Sequence, residues 1–358
     1  MSESASTPKN VKSRRLRWAG RMGLVAAGLS ALWCGLWFYG TSQIDIRLDA
    51  WLLGQRQLGS DWTCPQRSIT GFPLRIELAC AQPTLVAASD ATNVGATLKS
   101  LLFRAQITSP DRVEIFAASP LVLNMTDRGQ RITLAWDSLT LTIHGLVQGV
   151  AQADLVVKQP KATLLQPAGT EQTGSAAMFR LHMQPNPQRP ASEHALDARL
   201  TLDTILAAAL DGLSGSQAPA DISAAFTLSQ ADFPHDLTLP QQLERWRQNG
   251  GRFDVTTAIL SKGPLHLDAT GHVILDDMHR VEGGINAQAK GLAPVLASFG
   301  VPVAALNVGN LLNGLLKLGK GKPEAALESG TMAMPLKFQA GEVFFGPLKM
   351  PVTLKPLY

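Results

Sequence analysis

Between Arg21 and Asp45 the chain carries no charged residue, and Met22–Gly40 is a nineteen-residue, almost wholly apolar run. A bilayer core of about 30 Å takes about 20 apolar helical residues to cross. The run therefore predicts one membrane-spanning helix. Six bases (Lys9, Lys12, Arg14, Arg15, Arg17, Arg21) precede it, and basic flanks stay cytoplasmic. Trp18 stands at the near end, and Trp33, Trp37, Phe38 and Tyr39 at the far end, as interfacial aromatic anchors do. The expected arrangement is single-pass in the inner membrane: tail 1–21 cytoplasmic, anchor 22–40, and the bulk of the chain periplasmic. A cleaved signal peptide has an apolar region of about 7–15 residues and a small-residue cleavage site. This run is longer, and Trp37-Phe38-Tyr39-Gly40-Thr41-Ser42 is a poor site. Gly23, Ala27, Ala31 and Gly35 recur every fourth residue, a spacing that lets two membrane helices approach closely. Homo-association through this helix is the resulting expectation.

The tail also accounts for the charge. Net charge is +4, but the first 21 residues hold six bases against one acid (Glu3), leaving 26 bases and 27 acids elsewhere. Nucleic acid is therefore not an expected partner. Charged residues are 17% of the chain, below the usual figure of about 25%. A body so short of charge is expected to keep apolar surface for lipid or an envelope protein. Cys34 lies in the anchor, and Cys64 and Cys80 are the two cysteines beyond it. In an oxidising compartment these two are predicted to pair. Closing a loop of about 15 residues is worth roughly 3 kcal/mol in the chain-entropy model.

Ile44, Leu48, Trp51, Leu52 and Leu58 fall near helical spacing, which predicts an amphipathic helix leaving the membrane. From Trp62 the period becomes two. Leu74, Ile76 and Leu78 alternate with polar neighbours, as do Val113 and Ile115, then Ile132, Leu134 and Trp136, then Leu139, Leu141 and Ile143. Such runs are half-buried antiparallel strands. Ser109-Pro110-Asp111 and Asp127-Arg128-Gly129 read as turns. Alternation resumes at 177–183, 195–202, 222–228, 252–260, 265–275, 284–289, 332–339 and 342–345. Helices are predicted over 239–248, where Gly250-Gly251 supplies a stop, and over 292–299 and 303–318. The fold class is α+β: a mainly antiparallel, twisted β-sheet with a few flanking helices, preceded by one N-terminal transmembrane helix. Residues 41–166 form a first β-rich half, 167–192 a Pro-rich linker or long hairpin region, and 193–358 a second half.

Gly71-Phe72-Pro73-Leu74-Arg75 precedes a strand. Gly71 permits a backbone angle closed to other residues, and Pro73 fixes the next and removes a donor. The box predicts a structural corner in which Phe72 fills the core and Arg75 faces the other way. It also resembles a box in the proteins grouped as domain of unknown function 2125, membrane-anchored and distantly similar to AsmA-like envelope proteins. Gly271-His272-Val273-Ile274-Leu275-Asp276, Val281-Glu282-Gly283-Gly284 and Gly341-Glu342-Val343-Phe344-Phe345-Gly346-Pro347-Leu348 are similar to later units of that family. The likeness spans most of residues 15–350. It implies no established enzyme activity. Through the AsmA-like relatives it implies envelope homeostasis and lipid passage along an apolar groove.

Chemistry-bearing motifs are sparse. His266, Asp268 and His272 share a strand face and are followed by Asp276, Asp277 and His279, but their spacing matches no zinc pattern. Lys317-Leu318-Gly319-Lys320-Gly321-Lys322-Pro323 lacks the order of a phosphate loop. No catalytic residue, metal ligand or cofactor is nominated. The expectation is a non-enzymatic envelope protein that contacts lipid through an apolar concave sheet. A scaffold for an envelope protein partner is the alternative, and a hydrolase would need the His266 group to converge.

Overall fold

A 47-residue helix, α1 (Val11–Gln57), opens the computed structural model, which describes residues 11–88, 93–145, 152–234, 236–291, 332–346 and 348–358. Anchor and amphipathic helix, expected as separate elements, are one continuous helix. Gly40-Thr41-Ser42 resembles a break, but Thr41 Oγ1 donates to Phe38 O (3.0 Å) and Ser42 Oγ to Tyr39 O (2.9 Å). Bonding back into the preceding turn lets these polar residues continue the helix. α1 is long and apolar enough to cross a membrane. Gly23, Ala27, Ala31 and Gly35 lie exposed along it. Further on, the helix is tied to the sheet: Arg67 bridges Asp45 (2.9 Å) and Asp49 (2.7 Å), and Arg56 meets Asp61 at 2.8 Å.

The chain then runs through short strands β1 (Ser60–Thr63), β2 (Gln66–Thr70), β3 (Arg75–Ala81) and β4 (Thr84–Ala88), and long strands β5 (Asn93–Gln106) and β6 (Ser109–Met125). Next come β7 (Gln130–Ala135), β8 (Ser138–His144), β9 (Gln152–Lys158), β10 (Lys161–Leu165), β11 (Glu171–Ser175) and β12 (Met178–Pro185). The later part holds β13 (Leu196–Ala207), α2 (Ala208–Ser214), β14 (Ala220–Leu228), α3 (Leu239–Gln248), β15 (Phe253–Lys262), β16 (Leu265–Leu275) and β17 (Val281–Lys290). After the undescribed 292–331 come β18 (Met332–Gln339), β19 (Glu342–Phe345) and β20 (Leu348–Thr353). All described strands belong to one antiparallel sheet. The helices expected at 292–299 and 303–318 and the Lys317–Pro323 loop lie outside the described residues.

The Asp127-Arg128-Gly129 turn forms as a 3-10 turn closed by Gly129. Ser109-Pro110-Asp111 does not turn. The reversal is at Ile107-Thr108, and the proline sits in a register irregularity of β6 opposite β5, where its missing N–H costs no ladder bond. Within 167–192 the chain forms β11 and β12, and the sheet continues through them to β13. The short helix α2 has no counterpart in the sequence pattern. α3 begins at a capping box between Thr238 and Gln241.

A crease crosses the first part of the sheet. Twice, two short strands lie end to end against one long neighbour: β3 and β4 against β5, β8 and β7 against β6. The split continues through β9 and β10, and through β12 and β11 to β13. Pro83, Pro120 and Pro160 fall on this line and cannot donate to a straight ladder. Gln82, Gln159 and Thr204 take positive φ there (50°, 51° and 55°). Irregular bonds carry the sheet across, among them Gln82 N to Lys99 O (3.0 Å), Asp137 N to Lys158 O (3.0 Å) and Ala177 N to Asp203 O (2.8 Å).

Candidate functional site

The crease folds the short upper strands over the longer lower ones, and the inside of the fold is apolar. Directly opposed residues in an antiparallel sheet share a face. One such row runs Leu78, Phe103, Ile115, Leu141, Leu155, Leu181, Leu200 and continues as Ala224, Ala258, Ala269 and Ala287. The rows beside it, from Ile76 to Ile285 and from Cys80 to Ala289, are uncharged throughout. At about 4.8 Å per strand the uncharged face is roughly 50 Å long. On the outer face the row beside Leu78 reads Glu77, Arg104, Glu114, Thr142, Asp154, His182 and Arg199. That is a ladder of mostly opposite charges, and Arg104 bonds Glu77 at 2.8 Å and lies 5.0 Å over the Phe116 ring. His182 Nδ1 is 2.6 Å from Asp154 Oδ1, and that hydrogen bond raises the imidazole pKa.

Two cavities occupy the inside of the crease and meet at Leu121. The first, about 490 Å³, is closed by Leu48, Trp51 and Leu52 of α1 and lined by Leu78, Leu98, Phe103 and Leu123. The second, about 470 Å³, lies between Leu134 above and Leu139, Val157 and Phe179 below, with Trp136 and Pro160 at the bend. Trp136 Nε1 donates to Ala117 O at 2.8 Å, so its ring edge is pinned while its face is left to the cavity. Together they form an apolar trough. Ala176, Ile205 and Ala220 pack with Leu210 of α2 and stop its far end. Behind this plug Lys262 is only 2% exposed, its Nζ 2.6 Å from both Asp211 Oδ1 and Ala218 O. Sequence reasoning missed this pair. The available signal was a lysine in the inward parity of Ala258, Leu260 and Lys262.

Cys64 and Cys80 are joined, with Cα atoms 5.4 Å apart, and both line the first cavity. At the corner Gly71 has φ +104°, and a Cβ there would meet Arg75 O at 2.7 Å, so the position requires glycine. Phe72 does not fill the sheet interior as expected. It is 49% exposed and meets Trp37 edge-on at 5.5 Å, because the corner projects from the sheet's end against α1. Arg75 lies on the outer face, 3.4 Å from Glu77.

The histidine group does not converge. His266 contacts Asp268 (3.0 Å) and Ser261 (2.9 Å), whereas His272 sits six residues, about 20 Å, farther along β16 beside Gly284. Asp276 is taken up by Arg280 at 2.8 Å and Asp277 by Arg247 at 2.7 Å. His279 stacks on Tyr358, whose hydroxyl donates to Glu244 at 2.9 Å. The Arg247 and Tyr358 hydrogen bonds hold the Glu244 carboxyl down at about 2, and desolvation together with Glu244 pushes the Tyr358 phenol up to about 12. This cluster ties α3 and the β16–β17 turn to the chain's last residue.

No curated protein matches the chain. A family model does match, over residues 37–351, covering the end of α1 and the whole sheet nearly to the last strand. By that match the chain belongs to the family described as uncharacterized protein conserved in bacteria (DUF2125).

Proposed function

We propose that this chain is a non-enzymatic protein of the bacterial cell envelope, held in the inner membrane by α1, that binds a lipid acyl chain in the trough. The carrying observation is the pair of joined apolar cavities, which begins where α1 leaves its uncharged stretch. Pockets of several hundred Å³ with apolar walls suit an apolar ligand. One leaflet's acyl chains fill about half of the ~30 Å bilayer core, or ~15 Å. The creased part of the sheet spans eight strand positions, roughly 34 Å at about 4.8 Å each, so a single chain fits lengthwise. The charged outer face supports placing that surface in water. The similarity to AsmA-like proteins read from the sequence points the same way.

Gentle detergent extraction followed by native mass spectrometry tests the reading. A lipid mass retained by the full chain and lost in Leu121→Gln is expected. A photoreactive residue at Phe179 is expected to capture lipid, while one at His182, on the outer face, is not. No retained lipid and no capture at Phe179 refutes lipid binding. A stoichiometric protein captured at Phe179 instead favours the scaffold reading.

A further inference from the structure

The Gly71–Arg75 corner is held against α1 within its uncharged stretch. Trp33 Nε1 donates to Pro73 O at 3.1 Å and Trp37 Nε1 to Arg75 O at 3.3 Å. At about 1.5 Å per residue, Trp33 and Trp37 stand roughly 16 and 23 Å along the helix from Met22. A hydrocarbon core that starts at Met22 and is about 30 Å thick still extends past both. The corner nevertheless presents its apolar side chains outward: Phe72 is 49% and Leu74 61% exposed. Between corner and helix lies a cleft of about 720 Å³ walled by Leu29, Leu32, Trp33, Leu36, Phe72 and Leu74.

In water an exposed Phe-Pro-Leu tip is unfavourable, and in hydrocarbon it is not. We infer that the corner is a second membrane contact: Phe72, Pro73 and Leu74 sit among the acyl chains of the leaflet beside the domain. The occupant of the cleft is then an acyl chain of that leaflet. The indole N–H groups of exposed Trp33 and buried Trp37 are both satisfied by the corner's carbonyls, which is what burial in hydrocarbon requires of polar groups there. The sheet's first strands are thereby seated at the bilayer surface, with the α1 wall of the trough close to lipid. This inference rests on the reading of α1 as a membrane anchor.

Full chain carrying Cys34→Ala, with the disulfide kept, is labelled with an environment-sensitive dye at Leu74→Cys or, separately, at Ser30→Cys in α1. Each is reconstituted into phosphatidylcholine vesicles with plain or brominated acyl chains. Loss of fluorescence in brominated vesicles is expected at both positions. Quenching at Ser30 without quenching at Leu74 overturns the inference and leaves the anchor standing. Quenching at neither refutes the anchor and the inference with it. Unaltered chain crosslinked with a diazirine-bearing phosphatidylcholine gives a reading free of substitution. Adducts on the peptide containing 72–74 support the inference, and adducts confined to α1 overturn it.

Discussion

Asp211 and Lys262 give the sharpest test of how the trough is closed. Lys262 is 2% exposed, and its charge is met by Asp211 and one backbone carbonyl, each at 2.6 Å. Asp211→Asn keeps the shape of α2 and leaves the ammonium buried without a countercharge. Breaking a buried pair in this way costs about 3–5 kcal/mol. Asp211 is 34% exposed, and water screens part of the attraction, so the lower end, about 3 kcal/mol, is expected. Spread over roughly 300 ordered residues at ~2.1 cal/mol/K each, that lowers the melting temperature by about 5 °C. Lys262→Met removes the buried charge and keeps the apolar stem, so its cost should stay within about 1 kcal/mol. The assay is thermal unfolding of the full chain in detergent, with hydrogen exchange followed on 208–214. Asp211→Asn should speed exchange across α2, and Lys262→Met should not. If Asp211→Asn melts with the wild type, or Lys262→Met is the more damaging change, the pair is not what fixes the plug.

Three other outcomes follow from packing and charge. Cys64→Ser opens a bridge spanning 16 residues and should cost about 3 kcal/mol, read as a shift in urea midpoint that reductant reproduces in the wild type. The folded state holds Glu244 at about 2 against an ordinary value of 4.5, so the unfolded chain takes up the proton first. The stability gap between wild type and Glu244→Gln should therefore be full above pH 4.5 and close as pH falls toward 2, measured by melting across that range. Gly251→Ala places a methyl 2.3 Å from the Trp246 ring, which can move aside only by straining the bond its Nε1 donates to Ser229 O at 2.7 Å. Overpacking there should cost about 1–3 kcal/mol, with Trp246 fluorescence shifting as the ring is displaced.

What the sequence disclosed follows the reach of its local signals. The edges of α3, β16, β18 and β19 coincide with the expected ranges, because caps and strict alternation are written in neighbouring residues. The apolar inner face was implied by the same alternation. The trough was not, because it depends on the crease, and the crease is built from single-residue irregularities near Lys99, Pro120 and Thr204. Each reads as noise in one strand and gains meaning only when the strands line up. Phe72 was misplaced for a similar reason. A large aromatic beside a turn suggests a core, and only the long-range approach of Trp37 shows that its partner is α1.

The strand order has a consequence for how such a body is made. Most described ladders join segments near one another along the chain, as in β13 to β14, β14 to β15, β15 to β16 and β16 to β17, while β17 to β18 reaches across 291–331. Loop closure is thus short at most steps up to β17, and pairing there need not await the C-terminus. The body can zip up from its N-terminal end as the chain is made, every finished hairpin offering a template edge to the next segment emerging. A chain cut short after β9 would already own its cystine, its first cavity and most of its crease.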